Sequence, residues 1–136
     1  MRKAISVIIM AALMAACHES LEDRAAREAR EYTEKYCPTP VVNGSRTDSV
    51  AFDRTTLTYT YYCSFLDQMD SPELISSIQP ELQASLRNTL RQDVALKKIK
   101  EAGFNFAYVV RSASHPDTIL YTDTIRPEHY RGDVAD

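Results

Sequence analysis

Residues 56–65 read T-L-T-Y-T-Y-Y-C-S-F and carry the clearest strand pattern in the chain. Apolar or aromatic residues occupy every second position, and threonines or serine fill most of the positions between them. Side chains of a strand point alternately to the two faces of a sheet. The pattern therefore predicts a half-buried strand with Tyr62 on its outer face. Its inner face is predicted to carry Leu57, Tyr59, Tyr61, Cys63 and Phe65.

Three further strands are predicted around this one. Val50 and Phe52 alternate with polar neighbours and indicate a strand just before it. Residues 104–111 and 118–125 show the same alternation on either side of a short polar loop. Two such runs joined by a short loop are typical of a hairpin.

Two helical regions complete the pattern. The first covers residues 19–36, where apolar residues recur three or four positions apart and so share one helix face. The second begins at Ser71, a residue type favoured as a helix cap, and ends at Gly103. Pro80 lies inside it and is predicted to interrupt it. The apolar stripe of the first helix is Leu21, Ala25, Ala29, Tyr32 and Tyr36.

The predicted order is helix, two strands, helix, two strands. Short connections within each strand pair favour antiparallel hairpins. We therefore predict an α+β fold, a two-layer sandwich with a four-stranded antiparallel sheet and helices on one of its faces. A single domain is expected over residues 17–125. Residues 126–136 are charged and contain few apolar side chains, so they are expected to form a mobile polar tail.

The amino terminus has the pattern of an export signal. Arg2 and Lys3 precede an uncharged run, residues 4–16, which ends in small residues before Cys17. This run is shorter than the roughly 20 apolar residues that a membrane-spanning helix needs. Residues 1–16 are therefore expected to be a signal peptide that is removed.

The residues at the cleavage point, Leu13-Met14-Ala15-Ala16-Cys17, resemble the lipobox of bacterial lipoproteins, although Leu is more usual than Met at position 14. The resemblance implies cleavage before Cys17 and attachment of acyl chains such as palmitate to that cysteine. Two or three acyl chains anchor a protein stably to a membrane. Because His18 rather than Asp follows the cysteine, the outer membrane is favoured over the inner one. The domain would face the periplasm or be displayed on the cell surface.

The rest of the chain bears a looser resemblance to small uncharacterised bacterial envelope proteins, and this resemblance implies no activity. It rests on Cys37-Pro38, the alternation from Leu57 to Tyr61, and Gly103 followed by a strand. The formal net charge is −3, and removal of Arg2 and Lys3 would make the domain more acidic. An acidic domain has no electrostatic basis for binding nucleic acid or anionic lipid. No nucleic-acid partner is expected.

Two cysteines, Cys37 and Cys63, remain once Cys17 carries lipid. In an oxidising compartment such an even pair predicts a disulfide. Closing a loop of about 27 residues would stabilise the fold by about 3.5 kcal/mol. The alternative is a pair of buried free thiols that pack as small apolar groups.

No catalytic, metal or cofactor site is predicted. His18, His115 and His129 have no second ligand at a suitable spacing, so they are expected to be solvated surface residues. His115 with Asp117 could form a general base and the group that orients it, but the sequence places no nucleophile beside them. The protein is therefore not expected to be an enzyme.

The leading hypothesis is a membrane-tethered envelope lipoprotein whose domain binds or steadies another envelope protein, as pilotin-like assembly factors and periplasmic inhibitors do. Its sheet could accept a partner strand or helix at an open edge or face. The alternative is a periplasmic domain that binds a small ligand between helix and sheet. Tyr59, Tyr61 and Phe106 are the candidate lining of that pocket, and packing of these three rings in the core is the competing interpretation.

Overall fold

The structure, a computed structural model, describes residues 19–131. The expected signal peptide, the expected lipid-attachment residue Cys17, and His18 all lie outside the described residues. Within residues 19–131, no helix is both long enough and apolar enough to cross a bilayer.

The described chain contains helices and strands in the predicted order, with one short helix added at its end. Single turns of 3₁₀ helix lie at Asp67–Met69 and Val94–Leu96. The elements are α1 (Leu21–Tyr36), β1 (Ser45–Asp53), β2 (Thr58–Phe65), α2 (Pro72–Gln92), α3 (Lys97–Glu101), β3 (Asn105–Ser112), β4 (Ile119–Ile125) and α4 (Pro127–Arg131).

The four strands form one sheet in the order β1-β2-β3-β4. β1 pairs antiparallel with β2, and β3 pairs antiparallel with β4, but β2 and β3 are parallel. The predicted α+β architecture is confirmed, whereas the prediction of a purely antiparallel sheet is wrong. The reason is the connection through α2, because a strand that follows a helical crossover can enter the sheet at the same end as the strand before it.

The helices cover one face of the sheet and pack on its large apolar residues. Tyr59 lies opposite Phe52 on one side and Phe106 on the other, and Phe106 lies opposite Ile125. Phe106 and Ile125 are completely buried under the helices. The other face is open to solvent and carries Tyr62, which is 39% exposed, as the alternation predicts.

α1 packs closely against β1. The side chain of Ser20 caps its first turn by accepting a hydrogen bond of 3.1 Å from the Asp23 N–H. Ala25 and Ala29 are buried against the sheet. Near the end of the helix, the Thr33 hydroxyl accepts from the Val50 N–H and donates to the Val50 carbonyl, both at 2.9 Å. The small residues Ala25 and Ala29 and this pair of hydrogen bonds hold the helix along the outer edge of β1.

α2 is one continuous helix from Pro72 to Gln92, so the predicted interruption at Pro80 is wrong. A proline inside a helix removes one backbone hydrogen bond and crowds the carbonyl four residues earlier. Here Pro80 and Ser76 are both exposed, so water can solvate the carbonyl that loses its partner. Asp93 follows the last residue of the helix, and its carboxylate accepts a hydrogen bond of 2.9 Å from the Ala95 N–H and caps the following turn.

The domain extends beyond Ile125, where the polar tail was predicted to begin. Pro127–Arg131 form α4, and Tyr130 is only 5% exposed. Its hydroxyl donates to the carbonyl oxygens of Phe104 at 2.9 Å and Lys100 at 3.1 Å. One buried aromatic thus holds the charged segment 126–131 on the core, while the mobility of the tail stays a prediction. Residues 132–136 lie outside the described range.

Candidate interaction surface

A concavity of about 560 Å³ lies at the carboxyl end of α1. It is formed by the last turns of that helix, the chain that follows it, and the start of β1. We call it the tyrosine cavity. Its lining residues are Tyr32, Tyr36, Thr39, Pro40, Val42, Ser45, Arg46 and Thr47.

The chain between α1 and β1 folds back along the outer edge of β1 and makes one wall of this cavity. The Thr39 N–H donates to the Thr47 carbonyl, and the Thr47 N–H donates to the Thr39 hydroxyl, both at 2.9 Å. A tight turn then leads into the strand through Asn43 and Gly44, which have φ values of 53° and 74°. Asn-Gly is the sequence typical of such a turn. A side chain at Gly44 would also approach Met69 to 2.9 Å.

Aromatic and aliphatic side chains are exposed in and beside the cavity. Tyr32 is 39% exposed, Tyr36 60% and Val42 64%, and the adjacent Val41 is 47% exposed. The rings of Tyr32 and Tyr36 pack at a tilt with their centroids 5.3 Å apart. Contiguous apolar surface of this kind marks sites where proteins bind partners or ligands.

The polar part of the cavity comes from a β-bulge in β1. The pairing of β1 with β2 shifts between Thr47 and Ser49, which leaves Asp48 in the bulge. The Asp48 carboxylate accepts from Arg46 at 2.7 Å and from the Ser64 hydroxyl at 2.5 Å. This pair fixes the Arg46 side chain beside the apolar walls.

The two cysteines of the predicted disulfide are both free thiols in the structure. Cys37 follows α1 directly, and Cys63 lies on β2 with its sulfur 3.9 Å from the Thr47 hydroxyl. Burial raises the pKa of both thiols, and the nearby Asp48 carboxylate raises each further. Burial also raises the pKa of Tyr32, and the charge of either cysteine as a thiolate would raise it further. Both sulfurs therefore lie near the tyrosine cavity, and the bridge between them stays a prediction.

The second predicted site, a pocket lined by Tyr59, Tyr61 and Phe106, is occupied by the rings themselves. The Tyr59 centroid lies 5.4 Å from that of Tyr61 and 6.3 Å from that of Phe106, and Tyr61 stacks on Tyr108 at 5.1 Å. Burial raises the pKa of Tyr59 and of Tyr108 to about 12, and raises that of Tyr61 further still. The structure brings the three residues together as core packing, the competing interpretation in the sequence analysis.

The two histidines in the described part of the chain serve local structure. The His115 ring nitrogen lies 3.0 Å from the Ser114 hydroxyl, and Ser114 in turn donates to the Asp70 carboxylate at 2.6 Å. These contacts join the loop before α2 to the loop between β3 and β4. His115 thus contacts Ser114 rather than Asp117. The ring of His129, which lies in α4, accepts a hydrogen bond of 3.0 Å from the N–H of Arg126, the residue before that helix.

No group of three or more His, Cys, Asp or Glu residues suited to a metal ion occurs within residues 19–131. Within residues 19–131, the arrangement most similar to a catalytic triad is the exposed Ser114 hydroxyl between His115 and Asp70. In a catalytic triad the carboxylate orients the histidine. Here Asp70 accepts from the serine, so the arrangement supports the loop and does not activate a nucleophile.

Helical spacing assigns Tyr32 and Tyr36 to the apolar stripe of α1, so the tyrosine cavity was not predicted from the sequence. The two residues continue the spacing of Ala25 and Ala29, but they lie where the helix passes the strand edge. The change from alanine to tyrosine along the stripe was the available signal. Small residues allow a helix to pack closely, whereas two large amphipathic rings next to Pro38 suit a surface.

The fold and this cavity define a class, a small two-layer α+β domain with a mixed four-stranded sheet and an open aromatic concavity beside one edge. The chain belongs to the family described as a domain of unknown function, DUF8479, whose model matches residues 20–121. The match covers the chain from α1 to the first residues of β4, and it includes the whole of the tyrosine cavity. Among curated proteins, no sequence matches significantly.

Two solved structures are similar in fold. One is a candidate secreted protein from Pseudomonas aeruginosa, with a TM-score of 0.64 and 10% identity over 84% of this chain and 100% of that chain. The other is a pilotin, EpsS, from the type 2 secretion system of Vibrio vulnificus, with a TM-score of 0.61 and 9% identity over 81% of this chain and 91% of that chain. At these identities the similarity establishes the fold alone.

Proposed function

We propose that the protein is an envelope lipoprotein, anchored through lipid on Cys17, that holds another envelope protein at the tyrosine cavity. The observation that carries the proposal is the cavity itself, with exposed tyrosine and valine side chains around a fixed arginine. Tyrosine and arginine are the residue types that dominate the energetics of protein interfaces. The proposed occupant is an apolar segment of the partner protein.

The position of the cavity supports this role. Cys17 lies just before α1, and the cavity lies at the other end of that helix. A helix of 16 residues is about 24 Å long. The tethered end would stay at the membrane while the cavity faces away from it, where a partner can reach it.

The pilotin neighbour supports an accessory role in assembly. A pilotin of a type 2 secretion system shares the fold over most of both chains. We propose that this chain likewise serves the assembly of an envelope complex. We further propose that it does so from the outer membrane, because the lipobox resemblance and His18 favour that address.

Lipid attachment is tested first, in native cells grown with radiolabelled palmitate. We expect label on the protein, an intact mass that begins at Cys17, and loss of both in the Cys17→Ser variant. An unlabelled protein that still carries residues 1–16 would overturn the anchor.

The partner site is tested by cross-linking in the same cells. A photoreactive phenylalanine replaces Tyr32, and the matched control replaces Tyr62, an equally exposed tyrosine on the open face of the sheet. We expect one discrete cross-linked envelope protein from position 32 and none from position 62. Mass spectrometry then identifies the partner, which is purified for binding measurements.

The double variant Tyr36→Ser with Val42→Ser is expected to weaken that binding by at least about tenfold, because truncated interface anchors cost about 2 kcal/mol or more. Val94→Ser, a change of an exposed valine in the 3₁₀ turn beside the amino end of α1, is expected to leave binding unchanged. Equal affinity of both variants and the unaltered protein would contradict the proposed site.

A second candidate function, binding of a small ligand, is favoured by the volume of the cavity. Small-molecule sites commonly measure about 300–1,000 Å³, and the tyrosine cavity lies within that range. Native mass spectrometry of protein isolated from its envelope would then show a bound molecule of fixed mass. The Tyr36→Ser, Val42→Ser variant would lose that molecule, and no cross-linked protein would form.

A further inference from the structure

We infer that the turn at residues 93–98 forms, with the start of α1, a surface that lies directly on a bilayer containing anionic phospholipid. Val94 would enter the headgroup region, and the basic side chains around it would lie among the headgroups. This inference rests on the proposed lipidation of Cys17. It adds a contact between the folded domain and the membrane that the anchor alone does not require.

The first observation is the exposure of Val94. Its side chain is 86% exposed, more than any other large apolar residue within residues 19–131. It lies at the start of a 3₁₀ turn that Asp93 caps, so the backbone presents it at a defined place and not on a loose loop.

The second observation is the set of charges around Val94. A concavity of about 240 Å³ joins the turn to α1, and three cations, Arg24, Lys97 and Lys98, line it together with one carboxylate, Glu28. Arg24 is paired with Glu28 at 2.8 Å. Lys97 lies 4.0 Å from Glu101, and its side chain is 74% exposed. An exposed apolar residue flanked by lysines is suited to the boundary between headgroups and acyl chains.

The third observation is the length of the tether. α1 begins at Leu21, four residues after Cys17, and Leu21 lines the same concavity as Val94 and Lys98. Four extended residues span at most about 14 Å. If Cys17 carries acyl chains, the surface around Leu21 must therefore remain within that distance of the bilayer. This constraint is the reason why we infer that the membrane, and not a second protein, covers this surface.

The overall acidity of the chain argued against anionic lipid in the sequence analysis. The total charge decides the encounter with a membrane when a domain diffuses freely. A short tether fixes which face meets the lipid, and only the charges of that face then matter. The side chains that line the concavity beside Val94 include three cations and one carboxylate.

The chain contains no tryptophan, so a single Val94→Trp substitution reports on this surface alone. The acylated protein is reconstituted in phosphatidylcholine vesicles with and without phosphatidylglycerol. We expect the new indole to show blue-shifted fluorescence that brominated lipid quenches, most strongly with phosphatidylglycerol present. The control, Val42→Trp in the tyrosine cavity, is expected to emit as a solvent-exposed tryptophan and to resist quenching.

Replacing Lys97 and Lys98 by Gln in the Val94→Trp protein is expected to lower the ratio of membrane-facing to water-facing tryptophan by about fivefold per lysine in phosphatidylglycerol vesicles. If the indole of the Val94→Trp variant remains water-exposed in a protein whose mass confirms acylated Cys17, the inference fails while the proposed anchor stands. If Cys17 carries no lipid in native cells, the proposed function fails instead.

Discussion

The two long helices cover the same face of the sheet by different means. α1 presents Ala25 and Ala29, at 0% and 1% exposure, to the first strand. α2 is buried at Ile75 and Leu90, near its two ends. Between them the Arg87 guanidinium makes two hydrogen bonds of 3.0 Å to the Asp123 carboxylate of β4. One helix is held by close apolar contact, and the other by an ion pair across a half-buried space.

The two kinds of contact suit α1 and α2 to different structural roles. The close contact of α1 leaves no room for the helix to shift, which suits an element that would connect a membrane anchor to a binding cavity. The ion pair of α2 fixes the helix at one point, and Leu82 and Leu86 in the preceding turns are half-buried. We expect changes at these two kinds of contact to have different costs.

The largest effect is expected from Arg87→Met. The Asp123 side chain is only 7% exposed, so the change leaves a nearly buried carboxylate without its cation, with the Gln83 amide donating to it at 3.4 Å. Breaking one side of such a pair costs about 3–5 kcal/mol. Urea unfolding measures the loss, with Arg24→Met as control, because its exposed pair with Glu28 contributes about 0–1 kcal/mol. Similar losses in the two variants would show that the buried pair has no special role.

A slightly smaller effect is expected at the end of α1, from the proposed bridge between Cys37 and Cys63. In protein from an oxidising compartment we expect both sulfurs to resist alkylation in denaturant until a reductant is added. Reduction should then lower the free energy of unfolding by about 3.5 kcal/mol, for a loop of about 27 residues. Immediate alkylation of both residues in the denatured, unreduced protein would contradict the bridge.

Ala29→Leu tests the close contact of α1 itself. Extra methylene groups in a filled core cost about 1–3 kcal/mol, because neighbouring side chains and backbone must move. The matched change Ala84→Leu lies on an exposed position of α2 and should change stability by less than about 0.5 kcal/mol. Thermal and urea unfolding of the two variants compare them, and a tolerated Ala29→Leu would mean that α1 is not closely packed.

The smallest effect concerns acid sensitivity at the starts of the two helices. A hydrogen bond from Arg54 lowers the pKa of Asp23 in α1, and bonds from Ser112 and Ser114 lower that of Asp70 beside α2. A carboxyl whose pKa is lower in the folded state stabilises it above the unfolded value of about 3.9. That contribution disappears as the pH falls through the lowered pKa.

Asp23→Asn and Asp70→Asn should therefore each flatten the fall in stability between about pH 5 and pH 2. Unfolding by urea at a series of pH values measures this slope. A slope identical to that of the unaltered protein would show that neither hydrogen-bonded carboxylate is linked to folding.

Much of the fold could be predicted because its signals are local. The alternation from Leu57 to Phe65 identified β2 and its buried face, and the spacing along α1 identified that helix. The parallel pairing of β2 with β3 could not be predicted in this way. It depends on which hairpin edges meet after the crossover through α2, and no residue pattern within either hairpin encodes that choice.

The candidate site was predicted poorly for a related reason. Tyr59, Tyr61 and Tyr32 all continue apolar patterns, so periodicity alone assigned them to the core. Only the position of each residue relative to the sheet edge separates the buried rings from the exposed one. Tyr130 shows the opposite error, because charged neighbours concealed one aromatic anchor that holds α4 on the core.

The strands follow one another across the sheet in the same order as along the chain. A cut in the connection between β2 and α2, near Asp70, would therefore sever no ladder of backbone hydrogen bonds. Each fragment would retain one long helix and one whole hairpin. The sheet would join the two fragments through the parallel pairing of β2 with β3. The polypeptide is thus divisible at that point, and co-expressed halves offer a natural scaffold for fragment complementation.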